Sequence, residues 1–320
     1  MKTSNSVQSV SKALESYLAS CKANGLAKGT IENYERVANE YVKFLYDKGY
    51  EEATIGSASE WKIAMSEKGT KINVISSKMN MAKAFFDWAI ELEMVEKNPF
   101  IPTVMPSRKA VNAEKHKPYT KLLSAEEFAH ILHSGRPKGV PLKRWYRNRA
   151  ILIVFLTSGL RNSELRDLTL NDLDFENGTL TVRNGKGCKS RMCAFPVIAQ
   201  NAVKEYLECG YRPLNVSRDD YLFGVTDENG YHQFERNSLS QMVEREIESI
   251  TGRKNCKTHS LRHASASYLL TSGVSVDSIS ALLGHASVAT TAIYAERLNP
   301  KAPSAEANSV FANIKDVRIV

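Results

Sequence analysis

Seven side chains in the C-terminal two-thirds of the sequence could do chemistry on a phosphodiester. They are Arg161, Lys186, His259, Arg262, His263, His285 and Tyr294. Phosphodiester transfer without a metal has three requirements. The charge on the non-bridging oxygens must be neutralised, a nucleophile must attack in line, and the departing alkoxide must be protonated. Guanidinium suits the first task, because its planar fork matches phosphate oxygens and it stays protonated. Tyr294, in Thr290-Thr291-Ala292-Ile293-Tyr294, and Lys186, at the tip of a candidate hairpin, complete the set. Each residue also has an ordinary reading: surface cations, capping or core histidines, a packed tyrosine. His259 and His263 are four apart and could share a helix face. With His285 they could form a zinc site, although Ser260 stands where the Glu of an HExxH motif would be.

These residues need elements to position them. Ala150–Thr157 reads as a buried helix by its continuous apolar run. The alternating runs Thr179–Arg183 and Arg191–Phe195 flank Asn184-Gly185-Lys186-Gly187 and read as a β-hairpin with Lys186 at its tip. Gln241–Ser249, Ser260–Thr271, Ser275–Leu283 and Ser287–Arg297 read as helices, broken at Gly252, Gly273 and Gly284. A domain start is marked by Ser124 and Glu127 at capping-box spacing, with Leu123 and Phe128 as its staple. Between them and the buried helix, Gly135–Arg149 carries six basic residues and no acid, and reads as a basic loop, either simply solvated or in contact with phosphate.

Upstream, residues 1–100 read as four helices. The first runs from about Val7 to Asn24. The second follows Thr30 as N-cap, and the third starts at a Ser57/Glu60 capping box. The fourth runs from about Lys71 to Leu92 with Ile75, Met79, Ala82, Phe86, Ala89 and Ile90 along one stripe. Residues 101–121 have prolines, basic residues and no apolar period, and read as a linker. The fold class expected is therefore mainly α (α+β): a helical domain at 1–100, a mixed, mostly helical domain at 122–300, and a tail at 301–320.

The 320 residues carry a net charge of +8, which suits a polyanionic partner. The charge is unevenly placed: residues 1–100 hold 13 basic and 13 acidic side chains, whereas 121–300 hold 23 and 19. Five cysteines without CxxC spacing argue against a disulfide framework or a zinc ribbon. With no apolar run long enough for a signal peptide or a bilayer span, a cytoplasmic protein is expected.

In their order and local wording, these boxes resemble the tyrosine recombinase (phage integrase and Xer) family. Thr157-Ser-Gly-Leu-Arg161-Asn-Ser-Glu164-Leu is similar to that family's first arginine box. Gly185-Lys186-Gly187-Cys-Lys-Ser-Arg191 is similar to its hairpin, and His259-Ser-Leu-Arg262-His263 to its second arginine box. Leu283-Gly284-His285 followed by Thr290-Thr291-Ala-Ile-Tyr294 is similar to its last. Phe85-Phe86-Asp-Trp88-Ala89 and Asn98-Pro99 resemble, more loosely, the end of the family's core-binding domain. The likeness spans roughly residues 7–300. The long Gly135–Arg149 segment and Ser158 depart from the pattern.

The resemblance implies a metal-free enzyme that cleaves and rejoins DNA. Arg161 and Arg262 would clamp the phosphate, and Tyr294 would form a 3′-phosphotyrosine. Lys186 would protonate the leaving 5′-oxygen, with Lys189 as a rival. His259 would assist at the tyrosine, His285 would bind a phosphate oxygen, and Glu164 would orient Arg161 or a neighbouring imidazole. No cofactor is implied. The implied partners are double-stranded DNA with specific sites, a homotetramer on two duplexes, and accessory DNA-bending or directionality proteins. Val310, Phe311 and Ile314 are candidates for docking on a neighbouring protomer. If the first domain grips DNA, its basic residues must segregate, with Lys22, Lys28, Arg36, Lys71, Lys78 and Lys83 as candidates. In the second domain Arg144, Arg147, Lys189 and Arg191 are candidate DNA contacts. A type IB topoisomerase, which shares the nucleophile but relaxes one duplex, is the enzymatic alternative.

Overall fold

The computed structural model describes residues 4–115, 123–183 and 190–284. The chain divides into two compact units near residue 117. No helix among the described residues is long and apolar enough to cross a membrane.

The first unit is built from α1 (Val7–Ala23), α2 (Lys28–Asp47), α3 (Ile55–Glu67), α4 (Ile72–Glu91) and α5 (Arg108–Lys115). Its centre is aromatic. The Tyr41 ring lies 5.0 Å from Trp61 and 5.0 Å from Phe100, and its hydroxyl pairs with Ser57 Oγ at 2.8 Å. That bond explains why the expected cap of α3 is displaced. Ser57 is a buried residue inside the helix, and Thr54 is the N-cap, accepting from the Ser57 N–H at 3.1 Å. Likewise α2 starts at Lys28, before Thr30, with Ala27 supplying only its backbone carbonyl. The α4 stripe packs inward as its period requires, with Ile75, Met79, Ala82, Phe86 and Ala89 all buried.

Residues expected as a linker belong partly to this unit. Phe100 and Val104 are buried in its core, Lys62 Nζ donates to the Val104 carbonyl at 2.8 Å, and α5 follows. The turn into this segment is held by Asn98, whose amide donates to Asp87 Oδ1 at 2.7 Å while its Oδ1 accepts from the Phe100 N–H.

The second unit runs α6 (Ala125–His133), α7 (Leu142–Ser158), α8 (Asn162–Arg166), β1 (Leu173–Asp174), β2 (Thr179–Val182), β3 (Arg191–Ala194) and α9 (Val197–Glu208). It continues with β4 (Gly224–Asp227), β5 (Gly230–Gln233), α10 (Arg236–Thr251), α11 (Thr258–Thr271) and α12 (Val276–Leu283). The expected Ser124–Glu127 capping box forms at the start of α6. Strands β1, β2 and β3 make an antiparallel sheet, with Val182 opposite Arg191 at the base of the hairpin. A second hairpin, β4–β5, turns at Glu228-Asn229, with Asp227 opposite Gly230. Helix α7 is the hub, packing on both α9 and α11. Its residues Ala150–Leu156 are buried all round, and burying each large aliphatic there contributes about 1.5–3 kcal/mol.

The basic stretch before this run is not a loop from Leu142 onward, because α7 begins there. Arg147, expected as a DNA contact, is a core residue. Its guanidinium sits over the rings of Tyr211 and Phe234, 4.5 and 4.9 Å from their centroids, and donates to Asn148 Oδ1. Arg144 is exposed.

Candidate functional site

Helix α7 ends at Gly159, which takes a left-handed conformation at φ 61. A glycine suits this cap, since the conformation strains other residues. The turn delivers Arg161 to the N-cap of α8, where Glu164 three residues on accepts from the Arg161 N–H at 2.8 Å. The same carboxylate accepts from Arg161 Nη1 at 2.7 Å. Spacing along the sequence thus fixes the arginine locally.

Helix α11 carries His259, Arg262 and His263 on one face, as the i, i+3, i+4 relation demands. The two imidazoles meet edge to face, 4.3 Å apart. Arg262 is 2% exposed and is seated on carbonyls: Nη1 donates to Gly159 O at 2.6 Å and Nη2 to Leu283 O at 2.5 Å. Both acceptors lie at helix C-termini, where unpaired carbonyls and the helix dipole favour a cation.

Helix α12 ends at Gly284, again left-handed at φ 62. Its last carbonyls take three different guanidiniums. Leu282 O accepts from Arg191 Nε at 3.1 Å, Leu283 O from Arg262, and Gly284 O from Arg161 Nη2 at 3.2 Å. Arginines far apart in sequence therefore converge on one helix end. Glu164 completes the arrangement by accepting two bonds from Arg191, at 2.8 and 2.7 Å.

The electrostatics follow from this crowding of cations. Burial alone would raise the Glu164 pKa, but hydrogen bonds from Arg191 and Arg161 hold its carboxyl down at about 2. His259 is shifted below its ordinary value by desolvation, then by the guanidiniums of Arg262 and Arg161. Its neutral form is therefore favoured, and an uncharged imidazole can accept a proton.

Of the residues expected to do chemistry, Arg161, Glu164, His259 and Arg262 are brought together. Lys186, Lys189, His285 and Tyr294 lie outside the described residues, as do Val310, Phe311 and Ile314. So the third ligand of the zinc alternative lies outside them too. Arg191, expected as a DNA contact, is folded inward with a tenth of its side chain exposed. Sequence reasoning missed that seat, and also the roles of Gly159 and Gly284. The glycines did have a signal, a glycine directly after an apolar helical run.

Five of the six candidate DNA-contacting residues of the first unit are opposed by acids. Lys28, Arg36, Lys71, Lys78 and Lys83 each lie within 4.0 Å of a carboxylate, on Glu32, Glu40, Glu114, Glu40 and Asp87 respectively. Lys22 is exposed.

Residues 121–300 match the model of the phage integrase family. Tyrosine recombinase XerA of Pyrococcus furiosus is 30% identical over 289 residues, covering 89% of this chain and 89% of its own. Tyrosine recombinase XerC of Bacillus subtilis is 30% identical over 279 residues, covering 83% and 84%. Among solved structures, XerH recombinase bound to a palindromic difH substrate superposes with a TM-score of 0.70 at 23% identity, covering 90% of this chain and 83% of that one. The Tn1549 transposon integrase in complex with a circular intermediate DNA gives 0.63 at 20% identity, covering 88% and 94%. The fold is shared with both.

Proposed function

Because the chain belongs to the phage integrase family and is a site-specific tyrosine recombinase, we propose that it exchanges DNA strands through a covalent link to Tyr294. The phenol oxygen attacks the scissile phosphorus in line. The bond from phosphorus to the 5′-oxygen breaks, leaving a 3′-phosphotyrosine and a free 5′-hydroxyl. Lys186 supplies the proton to that leaving oxygen, and His259 takes the proton from the tyrosine. Arg161 and Arg262 stabilise the charge that builds on the non-bridging oxygens, with His285 bonding one of them.

One phosphoester replaces another, so the bond energy is retained. A 5′-hydroxyl from a second duplex can then attack the phosphotyrosine and release the enzyme without ATP. Four copies of the chain on two duplexes carry out the exchange. Accessory DNA-bending proteins can set its direction.

The observation that supports this reading most is the seating of Arg161 and Arg262 on consecutive carbonyls, Gly284 and Leu283. Two guanidiniums fixed on neighbouring carbonyls suit a phosphodiester, whose single negative charge is shared by two non-bridging oxygens, and the next residue in the chain is His285. Holding them in place beforehand avoids reorganisation when charge develops.

Strand transfer between two differently labelled duplexes tests the proposal. Hybrid products are expected when both duplexes carry a recombination site. Relaxation of supercoiled DNA without hybrid products would instead indicate a type IB topoisomerase.

A further inference from the structure

The hairpin that carries Lys186 and the helix end that leads to Tyr294 belong to different parts of the sequence, and one side chain joins them. Arg191 opens β3, immediately after the hairpin tip. Its guanidinium makes two bonds to Glu164, at 2.8 and 2.7 Å, and a third from Nε to Leu282 O at 3.1 Å. Cys193 on the same strand adds a contact from its Sγ to Leu282 O at 3.4 Å. The fit is close: a Cβ on Gly284 would lie 2.7 Å from Arg191 Cδ and 2.9 Å from its Nε.

We propose that Arg191 is a positioning residue of the recombinase, a buried strut that fixes the hairpin base against the end of α12 and so holds Lys186 and Tyr294 in register across the phosphate. It rests on the reading of Tyr294 and Lys186 given above. A direct phosphate contact is the competing role for an arginine in a DNA-binding enzyme. The geometry disfavours it, because both terminal nitrogens are held by the two oxygens of one carboxylate, which neutralises the fork in place, whereas Arg262 rests on uncharged carbonyls. The planar fork is essential to this role. Lysine would keep the charge but could not bond both carboxylate oxygens and the carbonyl in the same way.

The test uses full-length protein with Arg191→Lys and Arg191→Met. The DNA probe is a nicked suicide duplex selected from a random-sequence pool by covalent capture on the wild-type protein. Single-turnover cleavage should fall about 10–100-fold in both variants, the scale expected when reacting groups are slightly misplaced. Affinity for the duplex, and its dependence on salt, should stay within about twofold of wild type. Amides of residues 276–284 should exchange faster in Arg191→Lys while those of α7 do not, a reading that stands even if Arg191→Met fails to fold.

Two results overturn the proposal. One is weaker binding with a salt slope reduced by about one in Arg191→Met and restored in Arg191→Lys, which marks a phosphate contact. The other is unchanged cleavage in both variants. If capture yields no adduct at Tyr294, the chemical reading fails instead, and the exchange measurement alone decides whether Arg191 holds the helix end.

Discussion

Arg262 Nη1 donates to the carbonyl of Gly159 at 2.6 Å, so a buried cation in α11 rests on the C-terminus of α7. Gly159 has no room for a side chain. Its Cβ would lie 2.4 Å from Leu283 Cδ2, and its φ is +61. Gly159→Ala should therefore cost about 2–3 kcal/mol, combining left-handed strain with displacement of Leu283. The midpoint of urea unfolding should fall with an unchanged slope. Cleavage should fall as well, because the carbonyl of Leu283 seats Arg262.

Replacing Arg161 or Arg262 by lysine should separate binding from chemistry. A lysine keeps the charge but lacks the fork that reaches a carbonyl and a phosphate together. Arg161→Lys and Arg262→Lys are each expected to lower single-turnover cleavage by about 100–1,000-fold. Duplex affinity should change by less than about tenfold. Gel-shift and cleavage assays on the same DNA check the separation.

Acid should act through Glu164. Its folded pKa of about 2 lies below the ordinary 4.5, so its stabilisation is complete above the unfolded value and is lost as pH falls through the folded one. The shift corresponds to about 3 kcal/mol. Glu164→Gln should remove this dependence, so the gap in stability from wild type narrows between pH 5 and 2. Unfolding at a series of pH values measures it.

His259 gives a second pH dependence of the same sign. Its pKa is lowered, so the neutral, proton-accepting form persists below the ordinary histidine range. Cleavage by wild type should hold its rate as pH falls through about 6.5 and decline only in more acidic solution. His259→Gln should lower the rate and flatten that acid limb in a pH–rate profile.

Much of this architecture is legible along the chain, and the exceptions share a cause. The α4 stripe and the Ser124 cap are local signals, and they fold as written. So is the hairpin around Lys186, where alternation in Thr179–Val182 and Arg191–Ala194 sets the strands. The β4–β5 hairpin also had a signal in Gly230, which follows the turn and opens β5 at φ 93. By contrast Arg147 reads as a surface cation until Tyr211 and Phe234, distant in sequence, cover its faces. Phe100 and Val104 are isolated apolar residues among prolines, so no period announces their burial. The motifs identified Arg161 and Arg262 as a pair. That both rest on the end of α12, with Arg191 beside them, depends on three helices and a strand meeting.

The most direct test is covalent capture of DNA by the full-length protein. Nicked suicide duplexes lose the short strand beyond the cut, which traps the enzyme on the 3′ phosphate. The expected result is an adduct that survives denaturation, maps by mass to the peptide containing Tyr294, and is absent in Tyr294→Phe. An adduct of undiminished yield in Tyr294→Phe would contradict it.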